Sequence, residues 1–210
     1  MQVLAVSAAL YEQHSIHLKQ MHQLRAEVFG ARLDWDVSIT EETERDQYDD
    51  LHPTYILATE SGKVCGCARL LPATGPTMLE QTFPQLLKDR RLAAHARMIE
   101  SSRFCVDTTL DAGRGGGQLH LATLTMFAGI IEWSMASGYD EIVTATDLRF
   151  ERILKRAGWP MRRLGDPVEI GNTIAVAGSL PADRASFDRV RPADYKSTIM
   201  QGGLASRSAA

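Results

Sequence analysis

The chain has 210 residues, of which 44% are apolar and 23% charged, proportions that suit one compact domain with a sizeable core and exclude a fibrous or disordered chain. A net charge of −3 offers no bulk attraction to nucleic acid or to an anionic membrane, and no apolar run is long enough to span a bilayer. The first residues lack the basic start and long apolar centre of a signal peptide, so the expectation is a cytoplasmic protein with Cys65, Cys67 and Cys105 as reduced, buried thiols.

Val3 to Val6 reads as a short first strand. From Ser15 to Phe29 the apolar residues Leu18, Met21, Leu24 and Val28 recur at helical spacing, and Gly30 ends the run. Residues 34 to 52 are acidic and irregular, with Trp35, Asp46, Tyr48 and Asp49 standing out, which predicts a long functional loop or lid. Tyr55–Thr59 and Val64–Leu71 predict a hairpin turning through Glu60-Ser61-Gly62-Lys63, and a short helix is expected near Pro84. Residues 99 to 107 have the make-up of a strand but carry Glu100 and Arg103 where a merely structural strand would place Val or Ile. A glycine-rich turn, Gly113 to Gly117, leads into a helix from Leu119 to Met135 that is apolar almost all round and therefore buried. Glu141 to Thr146 is a strand, Asp147 caps a helix from Leu148 to Ala157, and Ile170 to Ala177 is the last strand. The small, polar residues from Tyr195 onward predict a mobile tail, leaving 1–194 as a single domain. This order predicts an α+β fold, a three-layer α/β/α sandwich around a mixed central sheet.

A strand presenting a carboxylate beside a backbone-exposing turn suits deprotonation of an amine and retention of a thioester. The same residues also fit a surface ion pair on an edge strand. The turn at Arg114-Gly115-Gly116-Gly117-Gln118-Leu119 suits backbone amides facing a pyrophosphate, or simply a flexible connection. His14 and His17 share a helical face but have no supporting ligand set, so no metal site is expected. Arg149, Arg152 and Arg156 also share one helical face, a one-sided basic patch in an otherwise acidic protein.

The element order is similar to that of the acetyltransferase superfamily, and short motifs sharpen the likeness. They are Arg25, Phe29 and Trp35 in Leu-Arg-Ala-Glu-Val-Phe-Gly-Ala-Arg-Leu-Asp-Trp; Asp46 and Asp49 in Glu-Arg-Asp-Gln-Tyr-Asp-Asp; Arg69 in Cys-Ala-Arg-Leu; Phe83 in Gln-Thr-Phe; and Glu100 with Arg103 in Glu-Ser-Ser-Arg-Phe. In this order and at these separations, from Leu24 to about Pro181, the chain resembles the LuxI-type acyl-homoserine lactone synthases, most closely their rhizobial TraI-like members. The resemblance implies two substrates, S-adenosylmethionine and an acyl chain on acyl carrier protein. The implied products are an N-acyl-homoserine lactone, methylthioadenosine and free carrier, with no cofactor.

On that footing Arg25, Phe29, Trp35, Asp46, Asp49 and Arg69 are expected to hold S-adenosylmethionine, carboxylates meeting its ammonium, a guanidinium its carboxylate and an indole face its adenine or cation. Glu100 is expected to act as general base through a water, with Arg103 orienting the site and amides near Phe104 stabilising the oxyanion. Phe83, Ser102, Phe104, Leu124 and Thr144 are expected around the acyl chain, Thr144 with Ser102 bonding a C3 carbonyl, which favours a medium-chain 3-oxo product of eight carbons. A buried threonine bonding its own strand is the alternative for Thr144. Arg149, Arg152, Lys155 and Arg156 are expected to dock the acidic carrier. Two other readings stand beside this one: an N-acyltransferase of the same fold using acyl-coenzyme A, which gives no reason for Trp35, Asp46, Asp49 and Arg69 together, and a non-catalytic acyl-carrier-binding protein, against which the presence of Glu100 argues. Oligomeric state is not readable from the sequence.

Overall fold

The computed structural model describes residues 1–32, 37–109 and 119–199. Strand β1 (Gln2–Val6) is followed by helix α1 (Ser15–Arg25), which buries Met21, Leu24 and Arg25 and continues as π-helical turns over Ala26–Arg32. Such widened turns are rare and concentrate at functional sites. The expected acidic loop contains a small hairpin, β2 (Ile39–Thr40) and β3 (Thr43–Glu44), then a 3₁₀ turn over Asp49–Leu51. The long hairpin follows as β4 (Thr54–Glu60) and β5 (Lys63–Pro72), with short helix α2 (Met78–Gln81) and a 3₁₀ turn at Pro84–Leu86. Strand β6 (Met98–Val106) carries Glu100 and Arg103. Helix α3 (Leu121–Ala136), β7 (Glu141–Asp147) and α4 (Leu148–Arg156) come next, the Asp147 carboxylate accepting the Phe150 N–H at 2.7 Å as its N-cap. Two short strands, β8 (Arg162–Arg163) and β9 (Val168–Ile170), precede β10 (Thr173–Pro181) and α5 (Arg184–Val190).

The main sheet runs β1-β4-β5-β6-β7-β10-β8, with β9 also on β10. Every pairing is antiparallel except β6–β7, which the crossover through α3 makes parallel. That parallel pair is in register over only three positions, Met98↔Glu141 to Glu100↔Val143, although both strands run on to Val106 and Asp147. Beyond Glu100 and Val143 the two strands are no longer paired with one another.

One layer, α1, packs on a core of Val6, Leu57, Tyr55, Cys67 and Cys105; the other, around α3 and α5, covers Val3, Ile56, Leu70, Ile99 and Ile142. Gly129 lets α3 lie close to the sheet, since a Cβ there would meet Val3 at 2.6 Å. The expected α+β sandwich with a mixed central sheet is the observed architecture. Among the described residues no helix is long and apolar enough to cross a membrane.

Two expectations need correction. The tail does not loosen at Tyr195: its hydroxyl donates to Glu132 at 2.7 Å, Lys196 and Thr198 hydrogen-bond to Val3, and Ile199 is buried. Residues 200–210 lie outside the described residues. The alternative of an edge-strand ion pair fails at Glu100, where β6 is paired with both β5 and β7, while Arg103 lies beyond the last β6–β7 pair and beside β5 alone.

Candidate active site

Four buried charged side chains meet where α1 ends, and the local fold explains each. Arg25 lies on the buried face of α1 and Arg69 on the central strand β5, both fully buried. Guanidinium groups taken out of water need carboxylate partners, and the acidic loop wraps back to supply them. Arg25 donates Nη1 and Nη2 to the two Asp49 oxygens, both at 2.9 Å, and Nε to Glu44. Arg69 binds both oxygens of Asp46, one of them at 3.1 Å, reaches Asp49 at 3.0 Å and donates Nε to Ser102 at 3.1 Å. Asp49 also accepts the Tyr55 hydroxyl at 2.7 Å and the Asp46 N–H at 2.9 Å. Burial pushes its pKa up, but the Arg25 hydrogen bonds and the Arg25 and Arg69 charges overcome that and hold the carboxyl well below the usual range.

Arg103 completes the cluster by a backbone device. The β5–β6 register jumps between Cys67↔Cys105 and Arg69↔Ser102, and Arg103 has φ +52°, a left-handed conformation unusual for arginine. The bulge turns its side chain onto the α1 face, where Nε donates to Glu44 at 3.1 Å, Nη2 to Asp46 at 2.8 Å, and the guanidinium lies 5.6 Å from the Phe29 ring centre. Its Nη1 has a thioether contact, Met78 Sδ at 3.6 Å. Arg103 is 12% exposed, whereas Arg25 and Arg69 are sealed.

Glu100 sits on the same face. Its two oxygens accept the N–H groups of Met78 at 3.0 Å and Leu79 at 2.6 Å, while Thr77 caps Glu80, so three of the donors opening α2 are satisfied. Burial raises its pKa, against the pull of the Leu79 and Met78 amides and of Arg69. A carboxylate whose proton affinity is raised by desolvation suits a base, yet in this geometry it also anchors α2 to β6.

The structure thus gathers Arg25, Phe29, Asp46, Asp49, Arg69, Glu100 and Arg103; Trp35 and the glycine-rich turn lie outside the described residues. It changes the expected division of labour, however. Asp46 and Asp49 are bound repeatedly to arginines, so they organise the cluster and are poorly placed to receive an external ammonium. Nor do the five acyl-chain residues form one wall. Phe83 packs with Tyr48, Leu71 and Met78 on the Glu100 side, and the Ser102 hydroxyl is held by Arg69. Phe104 and Leu124 belong to the α3 side, where Phe104 meets Phe127 and Phe150. Ser102 is therefore engaged elsewhere than at Thr144, whose hydroxyl lies 3.4 Å from the Ala145 carbonyl of its own strand. Arg149, Arg152, Lys155 and Arg156 are all exposed on α4, whereas Arg163 is taken up by Glu151 through two 2.7 Å bonds.

Sequence reasoning missed Glu44, which is fully buried and links Arg25 to Arg103, and Tyr55, which braces Asp49. Glu44 stood in the run Glu41-Glu42-Thr43-Glu44, where nothing separates a buried carboxylate from exposed ones.

Comparison with known proteins places this arrangement. The family model of the autoinducer synthases matches residues 9–190. An acyl-homoserine-lactone synthase of Rhizobium radiobacter is 70% identical over the full length of both chains, and one from Pseudomonas aeruginosa is 37% identical over 76% of this chain and 80% of its own. Among solved structures, the synthase LasI superposes with a TM-score of 0.74 at 35% identity, covering 84% of this chain and 88% of its own. A coenzyme-A-dependent synthase, BjaI, solved with SAM and isopentyl-CoA, has a TM-score of 0.81 at 24% identity over 96% and 98%, a likeness of fold. The chain belongs to the autoinducer synthase family and is an acyl-homoserine-lactone synthase.

Proposed function

We propose that the enzyme acylates S-adenosylmethionine with a medium-length 3-oxo-acyl group delivered by acyl carrier protein, eight carbons favoured, and then closes the lactone. The observation that carries this reading is the uneven use of the three guanidinium groups. Arg25 and Arg69 spend their nitrogens inside the cluster, whereas Arg103 is partly exposed and its Nη1 meets a weak thioether acceptor, Met78. Arg103 is therefore the group best placed to receive the methionyl carboxylate, with Phe29 flanking the sulfonium and Glu44 and Asp46 fixing the guanidinium. The bulge at Arg103 turns its side chain to the same face of β6 as Glu100, both touching Met78.

The chemistry follows from this placement. The neutral α-amine attacks the thioester carbonyl, the carbonyl oxygen takes up charge, and the carrier thiolate leaves. Glu100 accepts the amine proton through a water and passes it toward the leaving sulfur. The acyl group arrives already activated, so no cysteine nucleophile is required. The methionyl carboxylate then attacks its own γ-carbon; the carbon–sulfonium bond breaks and its electron pair leaves neutral methylthioadenosine. An acyl chain touching both Phe83 and Phe104 has to pass between β6 and β7, where the strands part. Arg149, Arg152, Lys155 and Arg156 then guide the acidic carrier. S-adenosylmethionine is consumed as a substrate, and the reaction is placed in the cytoplasm with its acyl donor.

Coenzyme A as donor is the second reading, favoured by the fold likeness to BjaI. Purified enzyme given S-adenosylmethionine with 3-oxo-octanoyl carrier protein or the matching coenzyme-A thioester, with mass spectrometry of the product, decides between them. Greater kcat/KM for the coenzyme-A thioester would overturn the carrier-protein reading. Absence of any lactone from either donor would overturn the substrate assignment.

A further inference from the structure

Cys67 and Cys105 are partners across the β5–β6 pair, and their sulfur atoms lie 3.3 Å apart. Both are buried beside Met21, Leu24 and Phe29 on the α1 face. Cys65 differs. A bulge in β5 at its position turns it to the opposite core, where its thiol donates to the Ala58 carbonyl at 3.4 Å and burial pushes its pKa up to about 11. A buried cysteine is ordinarily a small apolar side chain, and that account suffices for Cys65. It does not suffice for two thiols held opposite one another with their sulfurs touching. A disulfide needs a sulfur–sulfur distance of about 2.05 Å, so closure requires a contraction of about 1.3 Å.

The pair also adjoins the cluster. The Cys67 thiol lies 3.5 Å from the Arg103 carbonyl, and the register jump that places Arg103 in its left-handed conformation begins at Cys67↔Cys105. Contraction at the thiols therefore pulls on the backbone that aims Arg103 at Glu44 and Asp46.

We propose that Cys67 and Cys105 form a reversible dithiol–disulfide modification site for hydroperoxides, whose oxidised form displaces Arg103 and suppresses synthesis. One cysteine thiolate attacks a peroxide oxygen; the O–O bond breaks, giving a sulfenic acid and, for hydrogen peroxide, a hydroxide that is protonated to water. The second thiolate attacks that sulfur, the S–S bond forms, and the second hydroxide leaves as water. Two thiols are oxidised and one peroxide is reduced to two waters. A dithiol reductant reverses the change by exchange. The effect on synthesis rests on the proposed substrate site, whereas formation of the disulfide does not.

The test uses the full-length protein. Trypsin cleaves after Lys63, Arg69, Arg103 and Arg114, so Cys65 and Cys67 share one peptide and Cys105 lies on another. Reduced enzyme is treated with hydrogen peroxide, remaining thiols are blocked with iodoacetamide, and the digest is read by mass spectrometry beside methylthioadenosine release. The expected result is a linked pair of peptides, 64–69 with 104–114, formed in wild type and in Cys65→Ser. Activity is lost in step with the link, and dithiothreitol restores it. Cys67→Ala and Cys105→Ala should keep their basal activity after peroxide. Blocked, unlinked Cys67 and Cys105 in peroxide-treated protein overturn the proposal, as does a complete link with undiminished activity. If the alanine variants fold poorly, mapping in wild type and Cys65→Ser still decides. If untreated enzyme releases no methylthioadenosine, the substrate reading fails, and the peptide map reports on the disulfide regardless.

Discussion

On one face of β6, Glu100 and Arg103 join a cluster in which Arg25, Glu44, Asp49 and Arg69 are all buried and bound to one another. On the other face, Phe104, Phe127, Phe150 and Trp159 pack ring against ring at centroid separations of 4.8 to 5.8 Å. The aromatic side needs only shape, and small changes in it cost modest, local packing energy. The charged side tolerates no deletion, because removing one member leaves its partner ionised and out of water. The strand thus separates a site that fixes polar chemistry from a wall that can accommodate an apolar chain.

Experiments can break or sharpen that contrast. The largest effect is expected from Glu100→Gln, which should lower methylthioadenosine release by about two to four orders of magnitude, the span of a lost general base. The amide also turns an N–H₂ toward the Met78 or Leu79 N–H, so thermal unfolding must be followed in parallel. A folded variant releasing product at the wild-type rate would leave Glu100 with its anchoring role alone.

Stability should divide the two faces next. Arg25→Met is expected to cost about 3–5 kcal/mol in urea unfolding, since Glu44 and Asp49 lose a buried partner. Ile131→Val, in the core on the α3 side, should cost about 0.5–1.5 kcal/mol. Similar costs would refute the contrast. The pH dependence has a definite sign. Asp49 has its pKa depressed by folding, so its contribution is full at neutral pH and fades as pH falls below the ordinary aspartate value of about 3.9. The stability gap between wild type and Asp49→Asn should therefore narrow on acidification; a gap that stays constant to pH 3 or so would exclude a depressed Asp49.

Chain choice should respond less. If Thr144 meets the C3 carbonyl, Thr144→Val reduces the preference for 3-oxo over unsubstituted donors by about one to two decades, the worth of one unpaired polar group. Its long contact with Ala145 fits the competing role as an ordinary strand residue, and an unchanged preference would establish that role. The smallest effect is expected from reversing Arg149, Arg152 and Arg156 to Glu. The apparent KM for acyl carrier protein should rise, and that for S-adenosylmethionine should not. The difference should shrink in high salt, as screening removes steering. Equal loss with a free acyl-pantetheine thioester would point to damage within the fold.

Much of this was legible because period and composition act locally. The spacing of Leu18, Met21 and Leu24 predicted α1, and Asp147 marked the start of α4. Arg25, Asp46, Asp49 and Arg69 stood out as charges in recurring motifs, and the structure brings them together. What stayed hidden depends on long-range register. The Arg103 bulge arises from mismatch between two strands, and no composition of β6 alone reveals it. The same bulge sets Phe104 on the α3 side, away from Glu100. Helix α5 could have been found: Asp183 caps Ser186, and Phe187 and Val190 are buried three residues apart.

The anchoring of residues 196–198 on Val3 bears on handling the protein in solution. β1 is the outer strand of the sheet, and an uncovered outer strand offers its free amides and carbonyls to another copy. Lys196 and Thr198 occupy both groups of Val3 on that side, while Ile199 is buried in the adjoining core. The C-terminal segment is thus a guard against edge-to-edge association. A chain ended at Asp194 should aggregate at concentrations where one ended at Ile199 remains dispersed, and light scattering of the two side by side measures how much solubility those five residues confer.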